Sequence, residues 1–462
     1  MDVPERARCR GARTARIGLA PALIVAIACT VSGLASRTAR ANGAFPDAQG
    51  ILTPGSRPNE ITLVTNFGVV ASRDGGHTWL WSCEQDTNSF GYLYQYNAAP
   101  QNRLFAVANQ NLVFSDDATC GWSIANGMIA GLGATDFFPD PSDANRVLAL
   151  AFDSKSSTYV LLQSTDAGAT FTSKLYTSDA KATMTGIEIA RSDPKTIYVT
   201  LTAATTNAPM LGRSNDGGAT WKFTDLTPVL GSGSPSIIGV DPTNAQSVLL
   251  LFKATTQSLA QTQDGGNTVT LSMTTSGYFT SATRAGSGAI LVSGIDVSTS
   301  PVLYRSTDHG VTFQSLGNQP PHVRGMSTRG NQIYAATDEF SDGYALGVSA
   351  DDGMTWQSVL SYDHVAAILG CVKDACQATC ATEVSSFGLW DMSVCTADPP
   401  DGGTTSADAG TGGATPADAG TGEKKKPSSG CAVAPGEADG WLLSSGGLAV
   451  LGLWLARRRG RA

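Results

Sequence analysis

The chain has 462 residues, with 39 acidic against 31 basic side chains, a net charge of −8 and 42% hydrophobic residues. The acidic balance disfavours nucleic acid and anionic lipid as partners, and the apolar fraction suits a folded domain with ample core. Between residues 42 and 395 the imbalance grows, to 30 acidic against 17 basic side chains.

The first segment, MDVPERARCRGARTARIG, is rich in Arg, and the apolar run LAPALIVAIACTVSGLA follows it. ARAN then sets Ala39 and Ala41 at the small positions that precede a cut. Basic, apolar, small-x-small is the order of a secretory signal peptide, so 1–41 is expected to be removed after Ala41 and the remainder exported. A retained membrane anchor fits less well, because Pro21 and the small residues shorten the apolar stretch.

From residue 72 one phrase recurs: SRDGGHTW (72–79), SDDATCGW (115–122), STDAGATF (164–171), SNDGGATW (214–221), TQDGGNTV (262–269), STDHGVTF (306–313) and SADDGMTW (349–356). A catalytic site is needed once, so seven copies point to a structural part. The aspartates Asp74, Asp117, Asp166, Asp216, Asp264, Asp308 and Asp351 are 43, 49, 50, 48, 44 and 43 residues apart, the length of a four-stranded propeller blade. KTIYVTL (195–201), QSVLLLF (246–252), NRVLALAF (145–152) and NQIYAAT (331–337) read as strands, and Asp140-Pro141, Asp193-Pro194 and Asp241-Pro242 as the turns before three of them. No stretch of 42–395 carries a sustained helical period, so the predicted domain is all-β: seven four-stranded blades, the phrase at the hairpin between third and fourth strands. The ring is expected to close with DHVAAILGC (363–371) as an innermost strand of blade one; the alternative is GILT (50–53) there and the tail outside.

Within each copy the parts have physical roles. Asp216 is expected to accept hydrogen bonds from turn amides, Ser214 to close a second local ring, Gly218 to take a conformation side chains resist, and Trp221 to bury its ring. Asp216→Ala should therefore lower stability and leave binding intact. The same positions are Ser72, Asp74, Gly76 and Trp79; Ser164, Asp166, Gly168 and Phe171; Asp264 and Gly266; Ser306, Asp308, Gly310 and Phe313; and Ser349, Asp351, Gly353 and Trp356. The second copy displaces its glycine around Cys120, and the fifth lacks the aromatic. This pattern resembles the Asp-box, or BNR, repeat of sialidases, sortilin-type receptors, photosystem assembly factors and some glucanases. The resemblance implies a β-propeller with the repeats at its periphery, away from the usual binding face.

Catalytic chemistry finds little support. The sialidase resemblance would require an arginine triad and a Phe/Tyr-Arg-Ile-Pro motif; SRPN (56–59) does not match, and Arg73, Arg213 and Arg305 sit in or beside the repeats. Five glutamates, Glu60, Glu84, Glu188, Glu339 and Glu383, and many aspartates leave glycoside hydrolysis possible without selecting a pair. His77, His309, His322 and His364 lack metal-ligand spacing, and neither a phosphate loop nor a nucleophile elbow is present. No cofactor or metal is expected. Cys83, Cys120, Cys371, Cys376, Cys380 and Cys395 are an even set in an exported chain and read as disulfides, Cys83 with Cys120 and the other four among themselves.

Residues 396–430 carry ADAGTG twice and no aromatic or large aliphatic side chain, so they are expected to form a flexible stalk. Cys431, an apolar run at 441–456 and the cluster Arg457, Arg458, Arg459 end the chain. A sixteen-residue helix reaches about 24 Å, short of the roughly 30 Å hydrocarbon core. SGCAVAPG, the Trp-Leu-Leu run and the arginines resemble the myxobacterial sorting signal known as MYXO-CTERM. The resemblance implies processing near Cys431 and display at the cell surface. The expected organisation is a signal peptide (1–41), propeller (42–395), linker (396–430) and sorting tail with a short apolar helix (431–462). The expected role is an exported binding or scaffolding module at the outer-membrane surface or outside the cell. Its partners would be an extracellular protein or glycan and the envelope's sorting machinery, with the membrane met only through the tail. A glycan hydrolase and a purely structural envelope protein are the alternatives.

Overall fold

The computed structural model describes residues 46–86, 96–98, 103–117, 119–317, 320–399 and 440–441. They form a seven-bladed propeller, each blade an antiparallel sheet of four consecutive strands, with a short extra strand at the edge of three sheets. Blade one runs outward through Ala48–Leu52, Ile61–Thr65, Gly68–Ser72 and Leu80–Cys83. The others run from Tyr96–Ala98 to Ser123–Ile124, Gly133–Pro139 to Thr170–Thr177, Thr183–Ile189 to Lys222–Asp225, Ser234–Asp241 to Thr270–Thr275, Tyr278–Arg284 to Gln314–Ser315, and Val323–Arg329 to Gln357–Leu360. The expected signal peptide (1–41), the expected linker beyond residue 399 and all of the expected sorting tail (431–462) except Gly440–Trp441 lie outside the described residues. That pair runs antiparallel beside Tyr278–Arg284.

The second strand of each blade has both faces covered, which is why it reads as an unbroken apolar run. Leu148 and Leu150 of blade three, for example, meet Ile187, Val199 and Leu201 of blade four in one buried cluster. The Asp-Pro pairs shape the hairpins before three of these strands as expected: Asp140 Oδ1 accepts the Ser142 N–H at 2.8 Å and Asp241 Oδ1 that of Thr243 at 2.9 Å. The innermost strand carries a bulge at the same place in six blades, between Ala134 and Asp136 in blade three and between Phe279 and Ser281 in blade six. A bulge sharpens the twist and re-aims side chains. Side chains of the innermost strands, two of them at the bulge, satisfy buried donors of the neighbouring inner strand. Asp136 accepts the Ile187 N–H at 3.0 Å, Glu188 that of Val240 at 2.7 Å, and Ser281 that of Met326 at 2.8 Å, each in the next blade.

Ring closure departs from the favoured expectation. Ala48–Leu52 fills the innermost place of blade one, packed against Val323–Arg329 of blade seven, and the segment 363–371 stays outside. Ala367–Ile368 runs parallel to the outermost strand of blade one, with Ala367 beside Leu80 and Ile368 beside Trp81. The reason lies in what 362–369 buries. Tyr362, Val365, Ile368 and Leu369 join Phe67, Trp79, Trp81 and Trp390 in one buried core, and that burial holds the segment at the outer edge.

The cysteine pairing is also corrected. Cys83 bonds to Cys376, Cys120 to Cys371, and Cys380 to Cys395, so all six are disulfides but Cys83 and Cys120 do not meet. Both blade cysteines instead take partners from the segment 362–395, which crosses the outer edge of blade one. A second correction concerns helix: Lys373–Phe387 is helical, inside a segment expected to be all-β. Its buried face is Cys376, Thr379, Cys380 and Glu383, a stripe at helical spacing built from cysteine and polar groups. A hydrophobic period could not reveal it.

Candidate functional site

All seven copies of the repeated phrase fold as the hairpin between third and fourth strands. In SNDGGATW the Ser214 hydroxyl donates to Asp216 Oδ1 at 2.7 Å and accepts the Gly218 N–H at 2.8 Å. Asp216 Oδ1 also accepts the Thr220 N–H at 2.9 Å, and Oδ2 the Thr220 hydroxyl at 2.6 Å. Hydrogen bonds from the Thr220 hydroxyl and N–H, then from Ser214, hold the Asp216 carboxyl down at about 2. Trp221 Nε1 returns to the Gly218 carbonyl at 3.1 Å, as Trp79 does to Gly76 and Trp356 to Gly353. Each oxygen of Asp216 is occupied within its own turn. The roles differ from expectation in two respects: Trp221 is only half-buried, and Ser214 is buried while Asp216 is exposed, so the buried donor, Gly218 N–H, depends on the serine.

The scrambled second copy makes the same turn. Ser115 Oγ donates to Asp117 Oδ1 at 2.9 Å and accepts the Thr119 N–H at 3.0 Å, and Asp117 accepts the Gly121 N–H at 2.9 Å. Thr119 sits where the other copies have glycine and takes φ +80° in the left-handed region, against +100° for Gly218. That conformation is strained for a β-branched residue. The neighbour Cys120 carries a disulfide to the tail.

Alternating strand direction puts the repeated turns and the first–second hairpins on one face, and the second–third hairpins and blade-to-blade connections on the other. On that second face, at the junction of blades seven and one, the chain gathers charge. The loop from 338 to 345 contains the helical turn Glu339–Asp342, capped by Asp338, where blade one has a two-residue turn at 66–67. Arg324 Nε donates to Asp47 Oδ2 at 2.9 Å and Nη2 to Asp338 Oδ2 at 3.1 Å. His322 meets Asp342 through its backbone N–H at 2.8 Å and through Nδ1 at 2.9 Å. Both Glu339 oxygens face the Tyr362 N–H, at 2.9 and 3.2 Å. Phe340, 81% exposed, stands at the tip of the turn.

Burial pushes the Asp47 carboxyl up to about 6 against the pull of Arg324. Burial likewise raises Glu339 to about 7, opposed by the Tyr362 N–H. The Tyr362 hydroxyl is driven well above its ordinary range by burial, then by the charges of Glu339, Asp47 and Asp338. That hydroxyl and Asp47 Oδ1 are buried without a hydrogen-bond partner among the described residues. Such a site can exchange protons near neutral pH and can hold a polar group. Sequence reasoning missed it because its members are scattered from 47 to 362. The cluster TDEFSDG (337–343) was the one local signal.

The residues that a carbohydrate-cleaving site would draw on are spread around the ring. Arg146 bridges Asp140 and the Pro194 carbonyl, Arg284 pairs with Asp241, and Arg305 with Asp352. Glu60 pairs with Arg57, Glu188 serves Val240, Glu383 is buried on the helix Lys373–Phe387, and Glu84 is buried near it. Among the described residues no group of three or more His, Cys, Asp or Glu side chains could hold a metal ion.

No family model and no curated protein sequence matches the chain. Among solved structures it is similar to a GH74 xyloglucanase from Xanthomonas campestris, at 13% identity and a TM-score of 0.37, covering 68% of this chain and 58% of that one. It is similar to YCF48 from Cyanidioschyzon merolae at 12% identity and a TM-score of 0.44, covering 63% and 93%. A third is an oligogalacturonate lyase in complex with manganese, at 10% identity and a TM-score of 0.46, covering 63% and 87%. The chain thus spans under two thirds of the xyloglucanase, and none of these likenesses carries an activity or ligand across to it.

Proposed function

We propose that this protein is an exported propeller, displayed at the cell surface, whose face opposite the repeated turns is a binding surface. The observation that carries the reading is the distribution of its charge. All ten arginines between 42 and 395 engage other groups of the fold, and the serial Asp turns are self-contained. A compact charged cluster with an exposed aromatic stands instead on the loop of blade seven, and binding residues commonly sit on loops held by a rigid scaffold. The three disulfides suit an oxidising compartment outside the cytosol. The signal-peptide order of 1–41, the stalk at 396–430 and the tail with Cys431 and Arg457 to Arg459 support export, processing and display. The turn geometry supports the Asp-box reading of the repeats. Partners of this face would be extracellular protein or glycan.

A hydrolase is the second reading, favoured by one observation: Asp47 at about 6 and Glu339 at about 7 lie in the range of a general acid. Glycan and peptide arrays with parallel hydrolysis assays, on the chain and on Phe340→Ala, separate the two. Binding that Phe340→Ala weakens, without turnover, supports the binding module. Turnover abolished by Asp47→Asn or Glu339→Gln replaces it with the hydrolase, and neither binding nor turnover leaves a purely structural role.

A further inference from the structure

The three disulfides differ in how open they are to another thiol. Exchange requires a thiolate to reach one of the two sulfurs, so access decides which bond of a folded protein reacts first. Cys83–Cys376 and Cys380–Cys395 belong to the core around Trp81 and Trp390, and none of these four cysteines is more than 2% exposed. Cys120–Cys371 lies at the margin of that core. Cys371 is exposed, in the helical turn Gly370–Val372, and Cys120 is half-buried. The open bond also holds a lightly paired hairpin. The outermost strand of blade two, Ser123–Ile124, pairs with Asn111–Ser115 at two positions, where that of blade three pairs with its neighbour at five. Its turn is the irregular copy, with Thr119 left-handed at φ +80°. Cys120 ties this hairpin to a residue 251 positions away, and Trp122 Nε1 donates to Asp86 Oδ2 at 3.0 Å.

We infer that Cys120–Cys371 is a thiol-exchange site, opened by a dithiol while the two buried bonds stay closed, and that opening it frees the outer hairpin of blade two from the clasp formed by the segment 362–395. A thiolate of the dithiol attacks the sulfur of Cys371, the more exposed partner, and the S–S electron pair leaves on Cys120, which takes up a proton. The second thiol of the dithiol then displaces Cys371 from the mixed disulfide. Two electrons and two protons pass to the cysteine pair, and the dithiol is oxidised to its own disulfide. The ring stays closed, because Cys83–Cys376 and the packing of Ala48–Leu52 on Val323–Arg329 are untouched. What loosens is the hairpin, whose two paired positions and left-handed threonine then lack their covalent tie. The inference is independent of what the face opposite the repeated turns binds.

Titration of the native protein with dithiothreitol, trapping with iodoacetamide and peptide mapping test the first half. Cys120 and Cys371 should be alkylated at reductant concentrations at least about tenfold below those that free Cys83, Cys376, Cys380 and Cys395. Hydrogen exchange on the selectively opened protein tests the second. Amides at 115–124 should exchange at least about tenfold faster, and those at 61–72 in blade one should be unchanged. Cys120→Ser with Cys371→Ser should show the same fast exchange without reductant, its other two bonds intact. All three bonds opening together, or Cys380–Cys395 opening first, overturns the exchange site. Selective opening that leaves exchange at 115–124 unchanged overturns the release of the hairpin.

Discussion

The repeated turns and the C-terminal clasp both hold outer strands in place, but they work at opposite ranges along the chain. In a turn the contacts span two to four residues, as Ser214 reaches Asp216 and Gly218. In the clasp, Cys83 and Cys376 are 293 residues apart and Cys120 and Cys371 are 251 apart. A turn forms once its own eight residues are made and is repeated seven times. The clasp forms once, after blade seven exists, at the junction where the chain gives the ring no continuous connection. Local devices are repeated, whereas the closure of the ring rests on long-range contacts made once, the clasp together with Arg324–Asp47 and the packing of Ala48–Leu52 on Val323–Arg329.

The largest test of that contrast removes the buried bond. Cys83→Ser with Cys376→Ser should cost about 2–5 kcal/mol in urea unfolding, the usual loss for a native disulfide. A loss no greater than that from one turn would mean the clasp is ornamental and the blade junction closes by itself.

Next is the acid pair within the clasp. Glu383 and Glu84 are buried, and burial, then the Glu84 charge, raises Glu383 to about 7 from an ordinary 4.5. A carboxyl with a raised folded value binds its proton more tightly when folded. Its stabilising contribution is therefore full below about 4.5 and is lost as pH rises through about 7. Thermal midpoints of the chain should fall between pH 5 and pH 8, and Glu383→Gln should lessen that slope by its own share, leaving the shares of Asp47 and Glu339. An unchanged slope would mean the helix carries its acid in water.

Within a turn, the serine should outweigh the aspartate. Ser214→Ala leaves the buried Gly218 N–H unpaired and should cost about 1–3 kcal/mol. Asp216→Ala should cost less, since its carboxyl is exposed and water replaces it at the Thr220 N–H. Denaturation midpoints showing the reverse order would return the aspartate to the role the phrase suggests. The smallest effect belongs to the irregular copy. Thr119→Gly relieves a left-handed β-branched residue and should gain about 1 kcal/mol. No gain would show that side-chain burial at Thr119 offsets the strain.

Blade number, strand order within a blade and the place of the repeated turn were legible because each depends on neighbours a few residues away. Asp-Pro hairpins, apolar second strands and the Ser-x-Asp-x-Gly phrase all state their geometry within one window of sequence. The tail had no such window. Residues 362–369 read as a strand, and a short one is present, but which edge it joins depends on Phe67, Trp81 and Trp390, brought together by the ring. Lys373–Phe387 buries two cysteines, a threonine and a glutamate, a face that only its disulfides and partners make favourable. The charged cluster of Asp47, His322, Arg324, Asp338, Glu339 and Asp342 likewise exists only because blade seven returns to blade one.

The sequence by itself therefore determined the blades, since strand period, turn chemistry and repeat length are short-range properties of the chain. Only the tertiary structure decided how the ring closes, which cysteines pair and where charge collects. Those outcomes depend on distances between residues hundreds of positions apart, which no local pattern encodes.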